Sequence, residues 1–266
     1  MVALLFFFVT SIPAYAQEYT FGIVPQQSAK KLAQKWGPIL RQLSDETGLT
    51  IRFATAKDIP TFEKRLAAGE YDFAYMNPYH FTVFNNSPGY IALAHQAKKS
   101  IQGIIVVRKD SEIMTLGDLA DSRLAFPSPA AFAASILPQA DLNNQGVTFE
   151  PLYVSSHDSV YLNVARGLTP AGGGVVRTFK NTDPSVSEQL RVLWKTRRYT
   201  PHAFAAHPDV AVADRTRLQS ALINLEKNNE GMALLKSINF EGIESANDQK
   251  WDDVRALNIT ALSEAD

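Results

Sequence analysis

The hydrophobic pattern of the chain switches repeatedly between a period of two and a period of three to four. Residues 19–24 alternate toward a strand. Pro25-Gln26-Gln27-Ser28 then opens a helix whose apolar positions, Ala29, Leu32, Ala33, Trp36, Leu40 and Leu43, make one buried stripe. Pro38 is expected to bend that helix or divide it, and Gly48 stands where a helix end takes a left-handed residue. A second strand is predicted over 49–54. Asp58 as N-cap, with Pro60 in the first turn, begins a helix ending at Gly69. A third strand, 71–76, stops at Asn77-Pro78, which starts a short helix over 79–84. Strand-like runs follow at 91–97 and 103–108.

The middle of the chain repeats the theme. A short capped helix is predicted at 115–119, a strand at 123–126, and a helix at 130–137 begun by Ser128-Pro129. A strand over 147–154 precedes a helix over 157–168, with Val160, Val164 and Leu168 on one face. The glycine run Gly172-Gly173-Gly174 leads into Val175-Val176, and 190–194 is the last clear strand. From Ala211 the pattern is helical, with stripes at Leu218, Leu222 and Leu225 and at Met232, Leu235 and Ile238. Alternating strands and helices predict an α/β fold with mainly parallel sheets. The chain shows no repeat and no low-complexity linker. Two lobes would therefore be joined by crossing strands, expected near 99–104 and 197–204.

The first residues follow a different rule. Residues 2–9 are apolar but far short of the roughly 20 a membrane span needs. Ala14-Tyr15-Ala16 then offers a small-x-small cleavage pattern. Residues 1–16 are accordingly expected to be a signal peptide, although no Lys or Arg precedes the apolar run.

Composition narrows the chemistry. The 266 residues carry a net charge of -1, and 45% of them are hydrophobic, which is ordinary for a globular chain. There is no cysteine, which excludes disulfides, thiolate catalysis, cysteine-ligated zinc and iron–sulfur clusters. Basic runs are only dipeptides, Lys30-Lys31, Lys98-Lys99 and Arg197-Arg198. A nucleic-acid partner is not expected from so little clustering.

Four segments together carry a family resemblance. They are Phe21-Gly22-Ile23-Val24-Pro25 before the Trp36 helix; Leu66-Ala67-Ala68-Gly69-Glu70-Tyr71-Asp72-Phe73-Ala74-Tyr75-Met76-Asn77-Pro78; Ala125-Phe126-Pro127-Ser128-Pro129; and Ser155-Ser156-His157-Asp158-Ser159 before a helix ending in Gly167. In this order and spacing the chain resembles the periplasmic phosphate/phosphite/phosphonate-binding proteins of ABC transporters. The resemblance implies a type II periplasmic binding protein, two α/β lobes joined by a crossover hinge. Lobe 1 would comprise 17–103 and 204–266, and lobe 2 would comprise 104–203. A small oxyanion would sit in the cleft, with closure by hinge motion. The implied partner is an ABC transporter permease or, as the alternative, a membrane sensor protein. The chain is expected to be a monomer without cofactor, to bind rather than catalyse, and to reside in the periplasm.

Candidate ligand-binding residues follow from anion chemistry together with the resemblance. Helix N-termini offer free amides and a partial positive end. Ser128 precedes one helix, and Ser155, Ser156 and His157 precede another, so each serine is either a cap, a ligand donor, or both. His157 matches the family's Ser-His motif and is expected to titrate near neutrality, making binding pH-sensitive. Ser156-His157-Asp158 is no catalytic triad, because neighbours on one helix diverge. Tyr75 resembles the family's cleft aromatic, with a core aromatic as the alternative. Asn77 ends the same strand, where α/β sheets place ligands. Gln26 and Gln27 begin the first helix and are further candidates to face the cleft. His80, His95, His202 and His207 have no motif around them, and Arg177 reads by default as an exposed surface charge.

Two departures bear on the substrate. Family members that read an amino group carry an acid in a Gly-x-x-Asp-Ala pattern, whereas Gly167-Leu168-Thr169-Pro170-Ala171-Gly172-Gly173 has none. An aminoalkyl phosphonate is therefore not expected. The Ser/Thr-rich loop of the family is thin here, because Pro129 lacks an N–H and Ala130 and Ala131 lack hydroxyls. The glycines at 172–174 permit close backbone approach but match no nucleotide-binding pattern.

Overall fold

A computed structural model describes residues 18–262. The signal-peptide expectation at 1–16 lies outside the described residues. The first strand, β1 (Glu18–Ile23), is followed by α1 (Ala29–Thr47), β2 (Thr50–Ala54), α2 (Ile59–Ala67), β3 (Phe73–Met76), α3 (Pro78–Asn86) and β4 (Ile91–Gln96). The middle contains β5 (Ile101–Arg108), β6 (Ser122–Phe126), a π-helix (Phe132–Ile136) continuing as α4 (Leu137–Asn144), β7 (Phe149–Tyr153), α5 (His157–Ala165), β8 (Ala171–Val175), α6 (Val176–Lys180), α7 (Pro184–Ser187) and β9 (Leu190–Tyr199). The chain ends with β10 (Ala203–Ala206), α8 (Val212–Asn224), α9 (Asn229–Ser237), β11 (Ile243–Ser245) and α10 (Asp252–Arg255).

Local signals account for most helix ends. Ser28 caps α1 by accepting from the Lys31 amide, and Gly48 closes it at φ +70°. Pro38 removes one backbone donor but does not divide the helix, which buries Leu32, Trp36, Ile39, Leu40 and Leu43 along one side. Asp58 caps α2 and Asn77 caps α3. The helix expected from Ala130 begins later. A turn follows Ser128, Ala131 takes the cap position without a side-chain cap, and the amides of Ser135 and Ile136 both reach back to the Ala131 carbonyl, at 2.7 and 3.3 Å. Sharing that acceptor widens the first turn into a π-helix.

The strands form two sheets, ordered β11-β4-β10-β3-β1-β2 and β7-β6-β8-β5-β9. They are mixed rather than mainly parallel. Only β1 with β2 and β3, and β6 with β7 and β8, pair in parallel. The remaining pairs are antiparallel, including β5 with β8 and β9. The physical reason is the double crossing. The chain leaves the first sheet through residues 97–100 and returns through 200–202, so β5 and β9 run side by side in opposite directions with no crossover helix between them. This is the type II periplasmic binding fold, with two α/β lobes on a crossover hinge.

The glycine run is the inner strand β8, and the close approach it permits is that of packed neighbours in the core. A Cβ at Gly172 would lie 2.4 Å from Val160 Cγ1, and one at Gly174 would lie 2.3 Å from the Tyr161 hydroxyl, both on α5. On the opposite face, a Cβ at Gly173 would lie 2.0 Å from the Ala134 carbonyl oxygen. On the paired strand β5, a Cβ at Gly103 would lie 2.1 Å from the Ala133 carbonyl oxygen. Two bare backbone positions thus let the π-helix settle directly onto the sheet.

Candidate functional site

The parallel strands of both lobes end at the cleft. Val24 to Gln27 follow β1, Asn77 follows β3, Ser128 to Ala134 follow β6, Ser156 and His157 follow β7, and Arg177 follows β8. Carboxyl ends of parallel strands feed loops and helix N-termini, which is why ligand sites concentrate there.

A small cavity between the lobes, about 10 Å³, has Gln26, Asn77, His157 and His202 among its lining. Its other walls include Val24, Ile59, Ile101 and Val175, and the π-helix contributes residues 131–134. The first amides of that helix, at Phe132, Ala133 and Ala134, are the ones a helix start leaves without intrahelical acceptors. Lobe-to-lobe contacts close around the cavity. Asn77 Nδ2 donates to the Ala130 carbonyl at 3.2 Å, while its Oδ1 caps the His80 amide at 2.8 Å. The His157 amide donates to the Gln26 carbonyl at 3.1 Å. Lys31 pairs with Asp158 at 3.0 Å on the outer edge.

Of the six residues singled out in the sequence, the structure brings Asn77 and His157 together around this cavity. His157 is 1% exposed and its Nδ1 lies 3.0 Å from Thr178 Oγ1, which leaves Nε2 as the nitrogen available to the cavity. Burial, reinforced by Arg177, lowers its pKa to about 3. The ring is therefore neutral at physiological pH, and the expectation of titration near neutrality is overturned, because an imidazolium enclosed between two lobes loses its hydration.

Ser128 is buried, with an Oγ that has no hydrogen-bond partner among the described residues. Ser156 is the cap of α5: its Oγ accepts from the Ser159 amide at 3.1 Å. Ser155 is exposed at φ +72°, the left-handed turn that aims the chain into α5. Replacing Ser156 by alanine is expected to lower stability by about 1 kcal/mol, read as the urea midpoint. A wild-type midpoint would mean that the cap contributes nothing.

Tyr75 lies on the far side of His202, in an aromatic cluster. Its ring stacks on His202 at 5.0 Å and 20°, and packs against Trp36 and Phe204 at 4.8 Å each. It is both a core aromatic and a wall of a second, larger cavity along the hinge.

Three residues that carried no motif complete the site. Arg177 Nη2 donates to Gln26 Oε1 at 2.6 Å, and Gln26 Nε2 lies 3.1 Å from His202 Nε2. With the amide oxygen taken by Arg177, the amide nitrogen must donate, so His202 accepts at Nε2 and carries its proton on Nδ1. Burial, then Arg177, holds His202 well below its ordinary pKa, in keeping with that tautomer. The guanidinium also lies 5.8 Å from the Tyr75 ring centre and 5.9 Å from that of Phe240. Arg177 forms no ion pair with a described residue. It is not the exposed surface charge expected, since it is half-buried between lobes. Its position two residues past a strand end was the available signal.

The profile of the family described as "ABC transporter, phosphonate, periplasmic substrate-binding protein" matches residues 21–251. The chain is 23% identical over 281 residues to the phosphate-import protein PhnD of Mycolicibacterium smegmatis, covering 97% of this chain and 85% of the relative. The fold is similar to that of a binding-protein component of an ABC phosphonate transporter from Pseudomonas aeruginosa, with TM-score 0.85 and 18% identity over 93% of this chain and 87% of that one. It is also similar to PhnD1 from Prochlorococcus marinus in complex with methylphosphonate, with TM-score 0.82 and 19% identity over 92% of this chain and 99% of that one. With strand ends of two hinged lobes converging on a cleft and the family profile spanning nearly all the described residues, the chain belongs to the periplasmic substrate-binding proteins of phosphonate ABC transporters.

Proposed function

We propose that this protein captures a small phosphorus oxyanion, phosphate, phosphite or a phosphonate, and delivers it to an ABC transporter permease. The observation that carries the reading is Arg177. A half-buried guanidinium whose close partners are a neutral amide and two aromatic rings is uncompensated, and an anion in the adjoining cavity would balance it. Both neighbouring imidazoles are held neutral, so the positive charge there is Arg177's own. The apolar part of the lining, Val24, Ile59, Ile101 and Val175, suits a P–H or P–C face better than a fully hydrated anion.

In this reading Asn77, His157 and the π-helix amides hold the oxyanion. The buried, unpartnered Ser128 hydroxyl is a further donor beside that helix, Ser155 and Ser156 place His157, and Tyr75 bounds the cleft. Residues 17–103 with 204–266 close as one body against 104–203. The protein binds rather than converts its ligand, so methylphosphonate is expected to be recovered unchanged after incubation.

Thermal unfolding against phosphate, phosphite, sulfate and methylphosphonate tests this. A ligand that binds only the folded state stabilises it by about 2.7 kcal/mol at a hundred times Kd. At least one phosphorus oxyanion is expected to raise the melting temperature, and sulfate less so. His157→Ala is expected to weaken that ligand about tenfold or more, the worth of a hydrogen bond to a charged group, while remaining folded. No rise with any phosphorus oxyanion would sink the proposal.

A further inference from the structure

The larger cavity, about 630 Å³ along the hinge, has a lining out of keeping with the whole chain. Six Lys and Arg side chains border it against two carboxylates, although the protein carries a net charge of -1. The carboxylates have other work: Glu244 faces His95 at 3.3 Å, and Asp253 accepts the Thr200 amide at 2.8 Å. Lys99 is paired with Glu241 at 2.6 Å. Lys98, Arg177, Lys180, Arg198 and Lys250 form no ion pair with a described residue. Lys98, Lys180, Arg198 and Lys250 are exposed along the rim of this open cavity, so their fields add on an anion that enters and are screened as salt rises.

This cavity is continuous in lining with the small one. Ile101, Val175 and His202 border both, and Arg177 stands at the junction, hydrogen-bonded to Gln26 of the small cavity. Two apolar side chains at the shared wall suit a short hydrocarbon linker between two polar ends.

Resting on the phosphorus-oxyanion reading above, we infer that the ligand is two-ended: a phosphonate whose alkyl substituent carries a second anionic group, a carboxylate, received by the hinge-side cations. The phosphonate end enters at the small cavity, whose roughly 10 Å³ in this closed form widens as the lobes part. The carboxylate end lies among Lys98, Lys180, Arg198 and Lys250, with Arg177 serving both. An ammonium tail of the same length meets like charge in the same place and is rejected.

The test is a matched pair of ligands, 3-phosphonopropanoate and 2-aminoethylphosphonate, titrated calorimetrically into the full protein beside methylphosphonate. The carboxylate tail is expected to bind about tenfold or more tighter than the amine tail, and the preference to shrink as ionic strength rises. In the double variant Lys180→Gln, Arg198→Gln the ratio of the two dissociation constants is expected to fall toward one. Equal affinities, or a preference that survives the double variant, would overturn the inference while methylphosphonate binding keeps the oxyanion reading. If no phosphorus oxyanion binds, methylphosphonate included, the oxyanion reading fails and the inference falls with it.

Discussion

Gly173→Ala is expected to lower the stability of the protein by about 3 kcal/mol and to weaken oxyanion binding in the same variant. The added methyl would lie 2.0 Å from the Ala134 carbonyl oxygen and 2.7 Å from Phe126 Cδ1. Neither can yield cheaply. The first is backbone of the π-helix, and the second is a ring fully buried in the core. Overpacking of this kind costs about 1–3 kcal/mol when side chains can adjust, and backbone contact places this case at the upper end. For a chain of this size each kcal/mol lowers Tm by about 2–4 °C. The functional loss follows because the helix that must move carries residues 131–134 into the cavity. Gly103→Ala pushes the neighbouring carbonyl, at Ala133, and should act in the same direction. Because both act on one helix, the double variant should fall short of additivity. A Gly173→Ala protein with wild-type melting and wild-type affinity would show that the helix does not rest on β8.

Acidification is expected to destabilise the protein steeply below pH 6.5, before the carboxylates titrate. His157 is lowered from 6.5 to about 3 in the folded, closed protein, and His202 moves in the same direction. Between those values the unfolded chain binds the proton and the folded one does not. Stability therefore rises with pH through the window, is fully present above 6.5, and is lost as pH falls. His157 contributes about 1.4 kcal/mol per pH unit inside the window, and His202 acts in the same direction. Carboxylates with lowered pKa, such as Asp58 and Asp183, lose their contribution only below 3.8, so the two effects separate on the pH axis. Denaturation midpoints at half-unit steps from pH 8 to pH 4 would resolve this, with His157→Gln expected to reduce the slope. A flat profile between 6.5 and 4.5 would mean that both rings stay hydrated. The same argument predicts that protein groups leave ligand affinity unchanged from pH 6.5 to 8, and that dependence there belongs to the oxyanion's own ionisation.

The sites that sequence reasoning reached share one property, which is that their signals are local. Asn77-Pro78 after an apolar strand reads as a strand end and a helix cap, and the structure has Asn77 capping α3 and lining the cleft. Ser156-His157 before the Val160 and Val164 stripe likewise reads as a cap and a first-turn residue. What the local pattern misjudged depended on distant partners. The expected helix start at Ser128 moved because Ser135 and Ile136 share the Ala131 carbonyl. The triple glycine read as permitting close backbone approach, but nothing nearby in sequence says that Val160, Tyr161 and Ala134 are what press on it from both faces.

By itself the sequence determined the alternation of strands and helices, most helix ends, and the family, because periodicity and capping act over a few residues and survive any packing. Only the tertiary structure decided that the sheets are mixed, since strand direction depends on how the chain crosses between lobes twice. Only the tertiary structure brought Arg177 to Gln26, 151 positions away, and Gln26 to His202, 176 positions away. It also decided that His157 is neutral: a histidine's charge depends on how much water reaches it, and that is a property of the closed cleft rather than of the residues beside it.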